Sequence, residues 1–203
     1  MHALIVTAHP KPGSLTHAVA ARIAQGIRAA DPADTAEVAD LVIEGFDPRF
    51  GAADFAVHDR EAAPPADVAA EQRRIDRADA LVLVYPVFWW SMPALLKGWI
   101  DRVFANGWAY DADPQGGVSK LLQRLPVHLV ALGGADARTY ARHGYAEAMK
   151  TQIEHGIFDY CGATVTRSEL LLPNAGEDAG VRLSLAHEIG RQLFAAQTAA
   201  SAG

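Results

Sequence analysis

The run Ala80-Leu81-Val82-Leu83-Val84-Tyr85 is apolar on both faces of an extended strand, and no other feature constrains the fold of this chain as tightly. A half-exposed antiparallel strand alternates apolar and polar residues, so a strand without that alternation belongs inside a parallel sheet covered by helices on both sides. The rest of the chain repeats one theme, in which runs rich in Val, Ile and Leu are separated by longer segments with apolar residues at helical spacing. This βαβ pattern predicts strands near 2–8, 35–42, 79–85, 126–132 and 163–171, and helices near 14–29, 66–77, 92–106, 143–158 and 177–199. Five such units predict an α/β fold, a doubly wound five-stranded parallel sheet with helices on both faces, formed by one domain over residues 1–203.

Composition excludes several classes of function. With 50% hydrophobic and 21% charged residues the chain buries a core rather than staying disordered. Its longest apolar stretch, Ala80–Trp90, contains Pro86 and is shorter than the roughly 18–20 residues that a bilayer crossing needs. Met1-His2-Ala3 leads straight into Leu4-Ile5-Val6, with no basic segment ahead, so no signal peptide is expected. The lone Cys161 excludes an internal disulfide, agrees with a reducing, cytoplasmic compartment, and reads as a small buried residue. A formal net charge of −6 without any Lys/Arg cluster repels nucleic acid and anionic lipid.

In open parallel sheets ligands bind beyond the carboxyl ends of the strands, which directs attention to the loops beginning at His9, Pro86, Gly133 and Pro173. In the first loop, Pro10, Pro12 and Gly13 forbid helix, and Ser14 or Thr16 can cap the helix that follows. Free N–H groups, two hydroxyls and His9 would make a phosphate cradle there, although the same residues also describe a plain capped helix start. The glycine fingerprints of dinucleotide and nucleoside-triphosphate sites are absent. In the loop after the third strand, Trp89 and Trp90 offer ring faces and edges to a flat aromatic ligand, though such a run can equally belong to a core or an interface. Pro93 fits a first helical turn, and Leu95, Leu96, Trp99 and Val103 then follow at packing positions. Despite eight His residues, no metal-ligand spacing occurs, and the G-x-S-x-G hydrolase signature is missing as well.

The stretch Pro86-Val87-Phe88-Trp89-Trp90 through Trp99-Ile100-Asp101-Arg102-Val103-Phe104 resembles, over its whole length, the flavin loop of the flavodoxin-like NAD(P)H:quinone oxidoreductases, a family that includes ancillary flavoproteins of potassium-efflux systems. Shorter matches run from Ala8-His9-Pro10 through Asp40–Pro48, Glu71-Gln72, Gly107–Tyr110 and Gly133-Gly134 to Gly156–Gly162. The resemblance implies that His9, Ser14, Leu15 and Thr16 hold a flavin phosphate or pyrophosphate. It implies that Pro86, Val87, Phe88, Trp89 and Trp90 hold the isoalloxazine edge, and that Gly133 and Gly134 approach its pyrimidine side. Counting back from Gly156–Gly162 places His143-Gly144 on the family's catalytic His-Gly, with Tyr140 close to its catalytic tyrosine. Tyr110, with Trp90 and His143, would line the quinone pocket, where a second tyrosine of mammalian relatives is replaced by Ala112 or a neighbour.

The implied cofactor is FAD, favoured over FMN by the Phe46-Asp47-Pro48 segment, with NAD(P)H as co-substrate and a quinone as acceptor. The implied assembly is a homodimer, and Trp99, Trp108 and Tyr110 are the aromatic residues expected at its interface. A regulatory subunit of a potassium-efflux transporter is the alternative reading.

Overall fold

In the computed structural model, which describes residues 1–112, 116–173 and 179–195, the first half of the chain follows the sequence pattern closely. It runs β1 (His2–Thr7), α1 (Leu15–Ala30), β2 (Thr35–Asp40), α2 (Ala52–His58), α3 (Ala66–Asp76), β3 (Ala80–Pro86) and α4 (Ala94–Val103). A hairpin of β4 (Tyr110–Ala112) and β5 (Val118–Lys120) comes next, then β6 (Pro126–Leu132), α5 (Ala137–His143), α6 (Tyr145–Met149) and a π-helical segment (Lys150–Asp159). β7 (Thr164–Leu171) and α7 (Ala179–Gln192) complete the described elements. The five expected strands form one parallel sheet in the order β2-β1-β3-β6-β7. The chain steps from β1 outward to β2 and then crosses to β3 on the other side, so strand order reverses between β1 and β3 and opens a crevice at their carboxyl ends.

Every residue of β3 is buried, as its two apolar faces require. Leu81, Leu83 and Tyr85 join Leu4 and Val6 in the core beneath α3, α4 and the π-helical segment. Val82 and Val84 join Ala3 and Ile5 in the core beneath α1 and α7. Those two helices pack backbone to backbone: a Cβ on Gly26 would stand 2.0 Å from the carbonyl oxygen of His187, and one on Gly190 would stand 2.1 Å from that of Ile23.

Helix α4, which follows the Trp89-Trp90 loop, is held by buried polar contacts as well as by Leu96 and Val103. Trp99 donates its indole N–H to Glu71 at 2.8 Å, and Gln72 donates to the Val103 carbonyl at 3.0 Å. Arg102 donates to Asp54 at 2.9 Å, to Asp67 at 2.6 Å and to the Asp47 carbonyl at 2.8 Å, with its guanidinium 5.3 Å from the centre of the Phe46 ring. Removing Arg102 would leave the buried Asp54 carboxylate without its cation, a loss of about 3–5 kcal/mol.

Three expectations need correction. The helix expected near 143–158 begins at Tyr145 and turns π-helical at Lys150; the unexpected part is a separate α5 before it, capped by Asp136, which accepts from the Thr139 N–H at 2.9 Å, and ended by Gly144, whose φ of +68° is open to glycine at little cost. Helix α2 and the β4–β5 hairpin were not expected, because elements of seven and three residues are too short to show a period. Trp99 is wholly buried in its own core, so it is not an interface residue. Positions 177–178 and 196–199 of the last expected helix lie outside the described residues. Cys161 is buried, which pushes its thiol up to about 11. Among the described residues, no helix is long and apolar enough to cross a membrane.

His128 gives the fold a pH dependence. Its Nε2 lies 3.0 Å from the Thr166 hydroxyl, which donates to the Val127 carbonyl, so Nε2 carries the hydrogen and the buried Nδ1 has no partner among the described residues. Burial, aided by nearby Arg167, lowers its pKa to about 4. An unfolded chain binds the proton at about pH 6.5, so between pH 6.5 and 4 the unfolded state holds more protons and stability falls as pH falls, by up to about 3 kcal/mol. Urea titrations over this range should show that slope in the parent and a flatter one in His128→Leu; an equal slope would assign it to other groups.

Candidate active site

The crevice is built from three of the four loops that the sequence singles out; the fourth, which begins at Pro173, continues through positions 174–178, outside the described residues. In the first, Ser14 caps α1 by accepting from the His17 N–H at 3.4 Å. The first N–H groups of a helix lack intrahelical partners. Leu15 directs its side chain toward the α1–α7 core and Thr16 is buried, so what these two present to the crevice is backbone N–H. The His9 ring accepts from the Lys11 N–H at 3.1 Å and meets the His17 ring edge-on at 6.0 Å. His17 bridges the Ser14 hydroxyl at 2.7 Å and the Asp40 carboxylate at 2.8 Å. Thr7 ends β1 on the same face as Ile5, the face that α1 covers, and its hydroxyl is buried without a hydrogen-bond partner among the described residues. An orphaned hydroxyl and free helix N–H groups at one strand end suit an anionic phosphate.

The second loop contains a strained turn. Phe88 and Ser91 exchange two backbone hydrogen bonds, at 3.0 and 3.1 Å, across Trp89 and Trp90, whose φ angles are +51° and +59°. Positive φ at both central positions is a type I′ turn, normally built from Asn and Gly, and it costs an L side chain about 1–2 kcal/mol per residue. The turn throws Trp89 outward, 92% exposed, and lays Trp90 flat on Tyr145 with ring centres 3.6 Å apart. It is tied down by the Ser91 hydroxyl, which donates to Gln152 at 2.5 Å. Val87 spends its N–H on the Leu132 carbonyl at 2.8 Å, and Pro86 is buried in β3, so the N–H groups of Trp89 and Trp90 are the ones outside these bonds.

The third loop separates the glycine pair by role. Gly133 donates its N–H to the Leu171 carbonyl at 3.0 Å, and a Cβ there would come within 2.7 Å of the Tyr140 hydroxyl. Gly134 is exposed and would meet nothing within 4 Å, so it is the member whose backbone a ligand can approach. Helix α5 then places Tyr140 and His143 three residues apart, on one face. Tyr140 is 3% exposed, and burial raises its pKa above the usual phenol value. Its ring meets Trp90 edge-on at 5.3 Å. His143 is exposed and lies nearly parallel to Tyr145, with ring centres 5.1 Å apart. Val87, Trp89, Trp90, Gly134, Ala135 and Tyr140 line a cleft of about 190 Å³.

Trp90, Tyr140 and His143 therefore converge, through Tyr145, a residue that sequence reasoning passed over although it is the aromatic immediately after His143-Gly144. His17 and Asp40 were missed too, because a strand end and a helix start 23 residues apart give no local signal of their contact. Tyr110 is not brought to this cluster. Among the described residues its ring contact is with Tyr160 at 5.3 Å, and its hydroxyl is 3.4 Å from the His58 ring. Among the described residues no group of three or more His, Cys, Asp and Glu side chains could hold a metal ion. A larger cavity of about 300 Å³ between the π-helical segment and β6–β7 is lined by Tyr85, Glu154 and Ser168, and includes none of the loop residues.

Comparison with known proteins agrees with this geometry. A family described by its flavodoxin-like fold matches residues 1–189. Ribosyldihydronicotinamide dehydrogenase (quinone) of Pongo abelii is 30% identical over 191 residues, which cover 82% of this chain and 79% of that protein. The glutathione-regulated potassium-efflux system ancillary protein KefF of Enterobacter sp. (strain 638) is 61% identical over 44 residues, 22% of this chain and 25% of that one. The structure of an NAD(P)H:quinone oxidoreductase from Methanothermobacter marburgensis superposes with a TM-score of 0.82 at 28% identity, covering 95% of this chain and 98% of the other. Sheet order, turn geometry and these matches agree that the chain belongs to the flavodoxin-like family that includes the NAD(P)H:quinone oxidoreductases.

Proposed function

We propose that this protein is a flavin-dependent oxidoreductase that takes hydride from NAD(P)H and passes it to a quinone or similar acceptor in alternating half-reactions. The observation that carries this reading is the strained Trp89-Trp90 turn, whose two N–H groups are unbonded among the described residues and which lines one cleft with Gly134 and Tyr140 at the point where strand order reverses. His9, Ser14 and the N–H groups of Leu15 and Thr16 would hold the phosphate end. The Pro86–Trp90 loop would hold the ring edge, and the Gly133-Gly134 loop its pyrimidine side. A bound flavin supplies hydride acceptance at N5, with negative charge gathering around N1 and the adjacent carbonyl. Tyr140, kept protonated by burial, is a hydrogen-bond donor for such charge, and the exposed His143 can exchange a proton with water.

The Phe46-Asp47-Pro48 segment, which favoured FAD, is tied to Arg102 and packs against Gly98, a structural role indifferent to the second nucleotide half of a flavin. FAD and FMN are accordingly both proposed, and mass analysis of the released flavin decides between them. A homodimer is supported by the position of Tyr110, which would reach a quinone only at a partner's site, and by the exposed apolar side chains of Ile43, Phe55 and Trp89. The compartment proposed is the cytoplasm, where NAD(P)H is drawn from. The 44-residue likeness to KefF favours a second reading, a regulatory flavoprotein docked on a potassium-efflux transporter. Co-purification with a transporter would support that reading, and fast turnover of the isolated protein the first.

If Tyr140 and His143 answer developing charge, their removal should slow reduction and leave flavin affinity nearly intact. Stopped-flow reduction of the bound flavin by NAD(P)H should fall about 10²–10⁴-fold in His143→Ala or Tyr140→Phe, with the double variant less than additive. Rates within about twofold of the parent in all three would remove the pair from catalysis. Trp89→Gly should raise stability by about 1 kcal/mol through relief of the left-handed backbone, yet weaken flavin binding by about 1–3 kcal/mol. Unchanged affinity in that variant would take Trp89 out of the site. Light scattering at micromolar concentration should give twice the chain mass; a one-chain mass would contradict the dimer.

A further inference from the structure

We infer that Ser14, His17 and Asp40 form a proton-linked latch for the phosphate end of the ligand, in which His17 takes up one proton as a phosphate monoester enters the first loop. The inference rests on the proposed flavin site and deepens it.

Hydrogen-bond directions carry the argument. Asp40 is an acceptor throughout: one oxygen accepts the N–H groups of Val42 at 3.0 Å and Ile43 at 3.3 Å, and the other lies 2.8 Å from His17 Nε2. His17 Nε2 must therefore carry hydrogen. In the neutral imidazole Nδ1 is then bare and accepts the Ser14 hydroxyl hydrogen across 2.7 Å. Ser14 also accepts from the His17 N–H, so in this state it turns lone pairs, not hydrogen, toward the crevice. A phosphate oxygen is an acceptor and needs the opposite. When Nδ1 gains a proton from solvent, it donates to the Ser14 oxygen, and the hydroxyl hydrogen is freed to donate to the phosphate. No other bond changes, and the new positive charge lies between the Asp40 carboxylate and the incoming dianion.

The groups facing His17 are few. Asp40 reaches it from the end of β2, Ser14 from the loop ahead of α1, and His9 from the end of β1, edge-on at 6.0 Å and itself bonded to the Lys11 N–H. The exposed Lys11 is the cation of the same loop. The buried hydroxyl of Thr7, which has no hydrogen-bond partner among the described residues and whose register partner in the sheet is Asp40, is an independent sign that this strand end lacks an acceptor.

The test compares FMN with riboflavin, which has no phosphate, by quenching of flavin fluorescence between pH 7 and 8.5. A phosphate monoester has its second pKa near 6 and is mainly dianionic there, so a pH slope reports on the protein. FMN affinity should weaken toward about tenfold per pH unit as pH rises while riboflavin affinity stays flat. His17→Gln should abolish the slope. Asp40→Asn, which keeps an acceptor for the Val42 and Ile43 N–H groups, should reduce it. An unchanged slope in His17→Gln, or tight pH-independent FMN binding by the parent, overturns the latch and leaves the flavin site standing. Binding of neither flavin overturns both, so the two failures are distinguishable.

Discussion

The burial of β3 on both faces is the constraint on which the molecule depends. Because β3 pairs with β1 on one side and β6 on the other, its register sets the relative heights of three strand ends, and the three loops of the site leave from those ends. Each buried Val or Leu of the strand contributes about 1.5–3 kcal/mol, so a slip that lifted one face from its core would cost far more than any loop contact could return. The rigidity of the crevice is therefore a property of the apolar strand beneath it.

That rigidity makes the strained turn possible. Two successive tryptophans in the left-handed region are held by the paired hydrogen bonds of Phe88 and Ser91, by the Ser91–Gln152 bond, and by the stacking of Trp90 on Tyr145. Helix α4 supplies the other abutment. Arg102 joins it to the segment around Phe46 and Asp54, and Trp99 joins it to Glu71 on α3. Of the residues that the family resemblance singles out, Phe46–Pro48 and Glu71-Gln72 thus have scaffold roles in the fold, keeping α4 and its preceding loop in place.

The two ends of the crevice divide the chemistry by polarity. The α1 end collects hydroxyls, imidazoles and free N–H groups. The α5 end collects aromatic rings and a buried phenol, with one exposed imidazole at its margin. A ligand with an anionic tail and a flat ring matches that division, whereas a compact polar substrate would meet only half of it.

Much of this was legible in the sequence, because the fold rests on periodicity and burial, which are local and additive along the chain. The five strands, their parallel arrangement, the loops after β1, β3 and β6 among the four singled out, and the adjacent Trp89 and Trp90 could all be read from runs of Val, Ile and Leu and from the Pro and Gly that interrupt them. Glycine at 144 was visible as well, but its use to end a helix was decided by α5, whose Asp136 cap and buried Tyr140 hold that turn against Gly133. Only the tertiary structure could show that Gly133 is spent on packing while Gly134 stays open. It alone brings His17 to Asp40, places Tyr145 under Trp90, and sends Tyr110 to a different neighbourhood. The physical reason is that these facts depend on hydrogen-bond direction and ring contact between residues far apart in the chain, and period and composition carry no information about either.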